Sequence, residues 1–328
     1  MSLLVPNERD HVDAHEDLDQ DELYYKRIAE IRAKADVLNC ASTSESSESD
    51  STFSWDFEPV QGFFMQTSDN TDDMKFNYAT QGFGTTKPWE ELIDRLESLN
   101  STSVPNTKYK MLFLARHGQG WHNIASHKYP KADWFSRWRF VGTDGEIEWG
   151  PDAKLTDLGI SQAKENGELW KSQLENGAPL PTKFYVSPLS RSIDTLFHTW
   201  RDIEIPRPIV IENVRETIGV HLCHERTTKS ALESKYTDLD FEEGFTEDDL
   251  LAQKYSTVRE QLHQQFLRVD GVLQKIFDED EDSIISITSH AGTIRGFITV
   301  IGHRKFTIPT GGMIPIVVKG TKNNVKRN

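Results

Sequence analysis

Cysteine is almost missing from these 328 residues, with only Cys40 and Cys223 present. Two thiols make no disulfide framework, and such a chain reads as one that keeps its thiols reduced inside the cell. Long apolar runs are missing as well. None approaches the roughly 20 residues that a membrane span needs. The opening MSLLVPNERDHVDAHEDLDQDE lacks the basic start and apolar core of a secretory signal. There is no basic stripe to neutralise a run of nucleic-acid phosphates. The expectation is a cytoplasmic chain, or one also nuclear, with no membrane and no nucleic acid among its partners. Nothing in the sequence fixes an oligomeric state.

Acid is plentiful, and it is unevenly placed. The net charge is −15, but residues 1–58 alone carry 15 Asp or Glu against 5 Lys or Arg. The body is only mildly acidic, so a few arginines there can still make a locally positive pocket for a small phosphorylated substrate. Residues 1–52 read as an acidic, flexible leader. Within it, 21–39 has a helical pattern with an imperfect stripe of Leu23, Ile28, Ile31 and Leu38. The Ser/acid stretch CASTSESSESDST (40–52) is too poor in apolar residues to order itself. Residues 323–328 read as a polar tail.

Residues 53–322 have the pattern of one domain. After an aromatic lead-in and a helix at 87–100, short apolar runs alternate with amphipathic segments. Strands are expected at 110–115, 182–187, 207–214, 283–289 and 313–320, and helices at 156–174, 189–201, 253–278 and 291–302. The alternation predicts an α/β fold, a three-layer sandwich whose mostly parallel sheet carries helices on both faces. Two stretches, at about 119–150 and 217–252, interrupt it as cap insertions.

In open α/β sheets the site forms beyond the carboxyl ends of the strands. The residues placed there are Arg116 and His117, then Arg191 one helical turn after Ser187, then Glu216, and finally His290. Two arginines, two histidines and a carboxylate at one rim suit phosphoryl transfer, which is mostly positioning and charge stabilisation. Arg116 and Arg191 can grip phosphate oxygens bidentately. His290 adds a further donor, and a bound dianion would favour its protonated form. His117 is the candidate nucleophile, attacking phosphorus with one neutral nitrogen while the other donates to a backbone carbonyl. Glu216 would protonate the leaving oxygen and then activate water; Glu212 and Glu225 are nearby alternatives. The route needs no cofactor.

These residues sit in LFLARHGQGWHN (112–123), LTDLGISQA (155–163), SPLSRSIDT (187–195), VRETIG (214–219) and SHAGTIRG (289–296). In order and spacing the five motifs resemble the histidine phosphatase superfamily, in its phosphoglycerate mutase-like branch, over roughly residues 108–320. The resemblance implies the phosphoglycerate mutase-like fold. It also implies catalysis by His117, Glu216 and His290, and phosphate contacts from Arg116, Arg191, His290 and Asn123. The lead-in containing GFFMQT, the Trp-rich stretch after RHG and WGPDAKLTDLG are similar to the fungal phosphomutase-like proteins. Ala291 stands where the acid-phosphatase branch has Asp, which favours Glu216 as the acid. Gly120 stands where mutases often have a small hydroxyl residue.

The reading is a phosphomonoesterase working through phosphohistidine. A phosphomutase is the alternative and a non-catalytic phospholigand-binding protein the third. Trp121, Trp134, Trp138 and Trp149 suggest a cap with its own small core. Arg139, Arg226 and Lys229 are the expected specificity residues at its mouth. His221, Cys223 and His224 are crowded for a closed zinc site, so no metal is assigned.

Overall fold

The computed structural model describes residues 2–41 and 53–323. Most of the Ser/acid stretch (42–52) and nearly all of the polar tail (324–328) lie outside the described residues. The chain opens with helices α1 (Glu8–His15) and α2 (Leu18–Ala41), then strand β1 (Trp55–Pro59) and α3 (Trp89–Ser101). β2 (Thr107–Arg116) leads into a first insertion carrying α4 (Trp121–Lys128) and α5 (Lys131–Ser136). Then come α6 (Asp157–Glu175), β3 (Lys183–Val186), α7 (Ser190–Thr199) and the two-residue β4 (Ile209–Val210). A second insertion holds α8 (Lys229–Lys235), β5 (Asp240–Phe241) and α9 (Leu250–Lys254). The chain closes through α10 (Leu262–Glu279), β6 (Ile284–Ser289), α11 (Ala291–Ile301) and β7 (Met313–Lys322).

The seven strands form one sheet in the order β1-β7-β2-β6-β3-β4-β5. β2, β6, β3, β4 and β5 run parallel, and β7 lies antiparallel between β1 and β2. Strand alternation decides the two faces. Phe113 and Phe184 are level in the register through Ser286, so they share a face. There they meet Trp170 of α6 and Trp200, with ring centroids 4.8 and 5.0 Å apart. The opposite face is covered by α10 and α11, with α2 outside them. Gly320 is needed on that side, because a Cβ there would lie 2.4 Å from Phe277.

The expectation of a flexible leader is corrected for residues 2–41. Leu4, Tyr24 and Ile28 are buried in the main core, and the Tyr24 hydroxyl donates to Asp270 at 2.8 Å. The stripe on α2 runs through Tyr24 and Ile28, whereas Leu23 is exposed. Asn7 starts α1 with a reciprocal capping box to Asp10. The acids that suggested disorder have distant basic partners. Asp10 pairs with Arg116 at 2.6 Å, and Asp21 pairs with Lys305 and lies 3.8 Å from Arg295. Composition alone cannot see such pairing.

The first insertion has a small apolar cluster built on Ala125, Trp134, Trp149 and Ala153, with Tyr129 stacked on Trp138 at 4.2 Å. Cys223 from the second insertion joins it, so the two insertions share one cap. Among the described residues no helix is long and apolar enough to cross a membrane.

Candidate active site

Register brings the two histidines together. Arg116 is level with Ser289 across parallel strands, so the next residue on each strand, His117 and His290, falls side by side. The His117 backbone N–H donates to Ser289 O at 3.0 Å, and the rings lie 5.0 Å apart. That is close to the spacing of adjacent strands themselves. β3 ends level with Thr288, which sets Ser187 beside the pair and Arg191 in the first turn of α7.

His117 is buried at the floor of a cleft of about 740 Å³. Its Nδ1 lies 2.7 Å from Gly118 O. A proton there donates to the carbonyl and leaves the Nε2 lone pair for the cleft. Burial, reinforced by the Arg191 charge, holds the imidazole well below its ordinary range, so it is neutral. Gly118 serves packing, because a Cβ would sit 2.3 Å from Gly159 O at the start of α6.

Arg191 has no exposed surface, and its Nη1 donates to Cys223 O at 3.0 Å. Its Nε and Nη2 are buried without a partner. His290 shares Nε2 with Ser187 Oγ at 2.7 Å and Ser192 Oγ at 3.3 Å, and its Nδ1 is unpartnered. Burial pushes its pKa well down too, with Arg191 the next cause. Arg116 is divided. Nη1 is held by Asp10 at 2.6 Å and Ile308 O at 2.7 Å. Nη2 lies 3.7 Å from Asp13, and Nε has no partner.

Glu216 lines the cleft, its Oε1 accepting from the Thr217 N–H at 2.9 Å. Gly292 leaves it room, since a Cβ there would lie 2.5 Å from that oxygen. Glu212 is committed to Arg215 at 2.6 Å and Arg226 at 2.7 Å, which removes it as an alternative acid. Asn123 also lines the cleft; its oxygen accepts from Gly120 N at 2.9 Å, leaving the amide N–H groups as donors.

None of the three expected specificity residues is among those that line the cleft. Arg226 is buried under Glu212, donates to the Thr246, Glu247 and Asp248 carbonyls and lies over Phe245. It ties the second insertion together and does not line the cleft. Lys229 faces Glu233 at 3.5 Å and Phe241, also outside it. Arg139 is half-buried behind Phe135, which does line the cleft.

Several cleft residues went unnoticed in the sequence. His122 lies 5.3 Å ring to ring from His117, with Nδ1 buried and unpartnered; its place five residues after His117 was the available signal. Arg9 and Asp13 reach the cleft from α1, and Arg259 from the segment between α9 and α10. His221, Cys223 and His224, which the sequence did single out, also line the cleft and bring their donor atoms within 4.8 Å of one another, all buried. Burial drives His221 down to about 3 and the Cys223 thiol up to about 11.

A parallel-stranded sheet with an Arg-His pair at one strand end and a second histidine at the next defines a phosphoryl-handling class of fold. Residues 112–311 match the model of the histidine phosphatase superfamily (branch 1). The chain belongs to that superfamily. It is 37% identical over 284 residues to a protein of Arthroderma benhamiae called "Probable phosphoglycerate mutase", covering 80% of this chain and 84% of that one. It is 33% identical over 267 residues to "Phosphomutase-like protein 3" of Candida albicans, covering 80% and 79%. Among solved structures it is similar to the ecdysone phosphate phosphatase of Bombix mori in complex with tungstate. That likeness has a TM-score of 0.41 and 18% identity over 62% of this chain and 87% of the other.

Proposed function

We propose that this protein is a phosphomonoesterase acting on a small phosphorylated metabolite through a phosphohistidine at His117. The observation that carries the reading is the convergence of Arg191, His290, His122 and Arg116. Each has a buried, unpartnered nitrogen, and all four gather around one neutral, cleft-facing imidazole. Buried donors without partners are costly. A tetrahedral anion at this point satisfies several at once, most strongly at the transition state, where negative charge is spread over the equatorial oxygens.

The chemistry runs in two displacements. The Nε2 lone pair of His117 attacks phosphorus as the bond to the ester oxygen breaks. Glu216, protonated for this step, gives its proton to the departing oxygen. Glu216 as carboxylate then takes a proton from water while the water oxygen attacks phosphorus, and the P–N bond breaks to release phosphate. Ser187 Oγ–H donating to Nε2 of His290 places the proton of that ring on Nδ1, turning Nδ1 into a donor.

The names of the relatives favour a second reading, a phosphomutase in which the same intermediate returns its phosphoryl group to an organic acceptor. Inorganic phosphate release and isomer formation, measured side by side on sugar phosphates, glycerate phosphates, nucleotides and phosphopeptides, separate the two. Phosphate release abolished in His117→Ala supports the phosphatase; isomer formation with no net phosphate supports the mutase.

A further inference from the structure

A tight turn in the second insertion gathers three side chains that the reaction at His117 does not use. The His224 N–H donates to His221 O at 2.9 Å, closing a 3-10 turn over Leu222–His224. The turn stacks the His221 and His224 rings at 5.1 Å, with Cys223 between them in the chain. Among the described residues, these are the one group of three or more His, Cys, Asp or Glu side chains placed to share a metal ion. They are only 7%, 1% and 8% exposed. The His224 ring is oriented as a metal-bound ring is. A proton on its Nδ1 donates to Thr217 O at 2.7 Å and leaves the Nε2 lone pair as the ligand. Nε2 of His221 is buried without a partner. Trp134 and Phe135 stand edge-on to the His221 ring at 6.2 and 6.1 Å and make that wall apolar.

We propose that His221, Cys223 and His224 form a three-ligand site for a zinc-like, thiophilic divalent ion on the wall of the cleft. Crowding argues against a closed site of four protein ligands, but three with one open position is the other arrangement that zinc adopts. All three residues line the cleft, so the open position faces it. The donor atoms lie within 4.8 Å of one another. A tetrahedral shell sets them roughly 3.5 Å apart, so a small contraction completes it. The Cys223 proton leaves to solvent as the metal–sulfur bond forms. Charge selects the ion. Arg139 and Arg259 act on His221, and Arg191 and Arg259 on Cys223. They repel any cation, so a hard ion such as magnesium or calcium gains too little from these ligands to stay. A thiophilic ion gains a strong bond to sulfur, and the thiolate offsets one of the positive charges. Cys223 O holds Arg191 Nη1 at 3.0 Å, so the metal would sit one backbone carbonyl away from Arg191. The site is independent of the phosphatase reading.

Cobalt is the probe, because its bond to thiolate is coloured. The full chain is purified in reduced form, stripped of metal with a chelator and titrated with cobalt(II). One equivalent should give a sulfur-to-cobalt charge-transfer band in the near ultraviolet and the strong visible bands of tetrahedral cobalt, and zinc should bleach both. The chain has only two cysteines, so substitution assigns the sulfur. The charge-transfer band should survive in Cys40→Ser and vanish in Cys223→Ser. His221→Gln and His224→Gln should each weaken zinc binding at least about a hundredfold in competition with a chromophoric chelator, more than the loss of a supporting hydrogen bond alone. Urea unfolding without metal checks that each variant is folded. Should Cys223→Ser fail to fold, zinc X-ray absorption on the parent chain decides. Sulfur at about 2.3 Å with nitrogens at about 2.0–2.1 Å supports the site, and a shell of oxygen and nitrogen alone overturns it. No charge-transfer band at saturating cobalt, a band that persists in Cys223→Ser, or zinc affinity unchanged in both histidine variants overturns it as well.

Discussion

Replacing Asp10 by Asn removes the carboxylate that holds Arg116 from a helix over a hundred residues away. The side chains of this pair are only 4% and 6% exposed, at 2.6 Å. Taking one partner from a buried ion pair costs about 3–5 kcal/mol, because the other charge stays desolvated. Arg116 keeps Ile308 O at 2.7 Å, which trims the loss, while the Asp10 oxygen that closes the capping box on Asn7 N at 3.0 Å is weakened, which adds to it. The net expectation is a loss of about 3 kcal/mol, read as the shift in urea unfolding. Asp13→Asn is the internal control. Its carboxylate is 40% exposed and 3.7 Å from the same guanidinium, so its loss should be below about 1 kcal/mol. Orthovanadate or phosphate should stabilise Asp10→Asn more than the parent chain, since a bound anion returns charge to Arg116. A loss under about 0.5 kcal/mol, or one equal to that of Asp13→Asn, would refute the view that α1 is part of the site's framework.

Three further outcomes follow from the same geometry. Arg191→Met should slow turnover on the order of 10²–10⁴-fold. Because Arg191 has no carboxylate partner, its unfolding midpoint should not fall, and a clear drop would mean the charge is structural. Ser187→Ala should lower kcat roughly three- to tenfold, the worth of one hydrogen bond, with KM for a phosphoester little changed. The third concerns acid. Folding suppresses protonation of His117, His122, His221, His224, His290 and His303, so the unfolded chain binds more protons below about pH 6.5 and these groups withdraw stability as pH falls. Asp13, Asp152 and Asp270, whose pKa values folding raises by burial, act in the opposite sense. His303 is pushed down to about 4 by burial and lies outside the cleft. His303→Gln should therefore lose about 1 kcal/mol less than the parent between pH 6.5 and 5.5, and an identical loss in urea unfolding would contradict the assignment.

The sheet, and which candidate residues gather at its rim, were largely legible in the sequence, because strand ends and register are local properties with fixed consequences. Once Arg116 and Ser289 end neighbouring parallel strands, His117 and His290 have little choice but to meet. Pairwise charge was not legible. The acids of α1 and α2 read as solvent-exposed until Asp10 finds Arg116 and Asp21 finds Lys305. Arg226 looked available for substrate because its partner, Glu212, is fixed by the fold and not by spacing. β1 and β5 escaped too. WDFEP is a short edge strand ending in proline, and β5 has only two residues, so neither leaves a usable period in the sequence.

The most direct measurement of the central claim is to quench the chain during turnover of a labelled phosphoester and map the modified residue by mass spectrometry. An acid-labile, base-stable phosphoryl group on His117, absent from a folded His117→Ala chain, is the expected result. Turnover that survives in His117→Ala, or a phosphoryl group trapped on any other residue, would contradict the account.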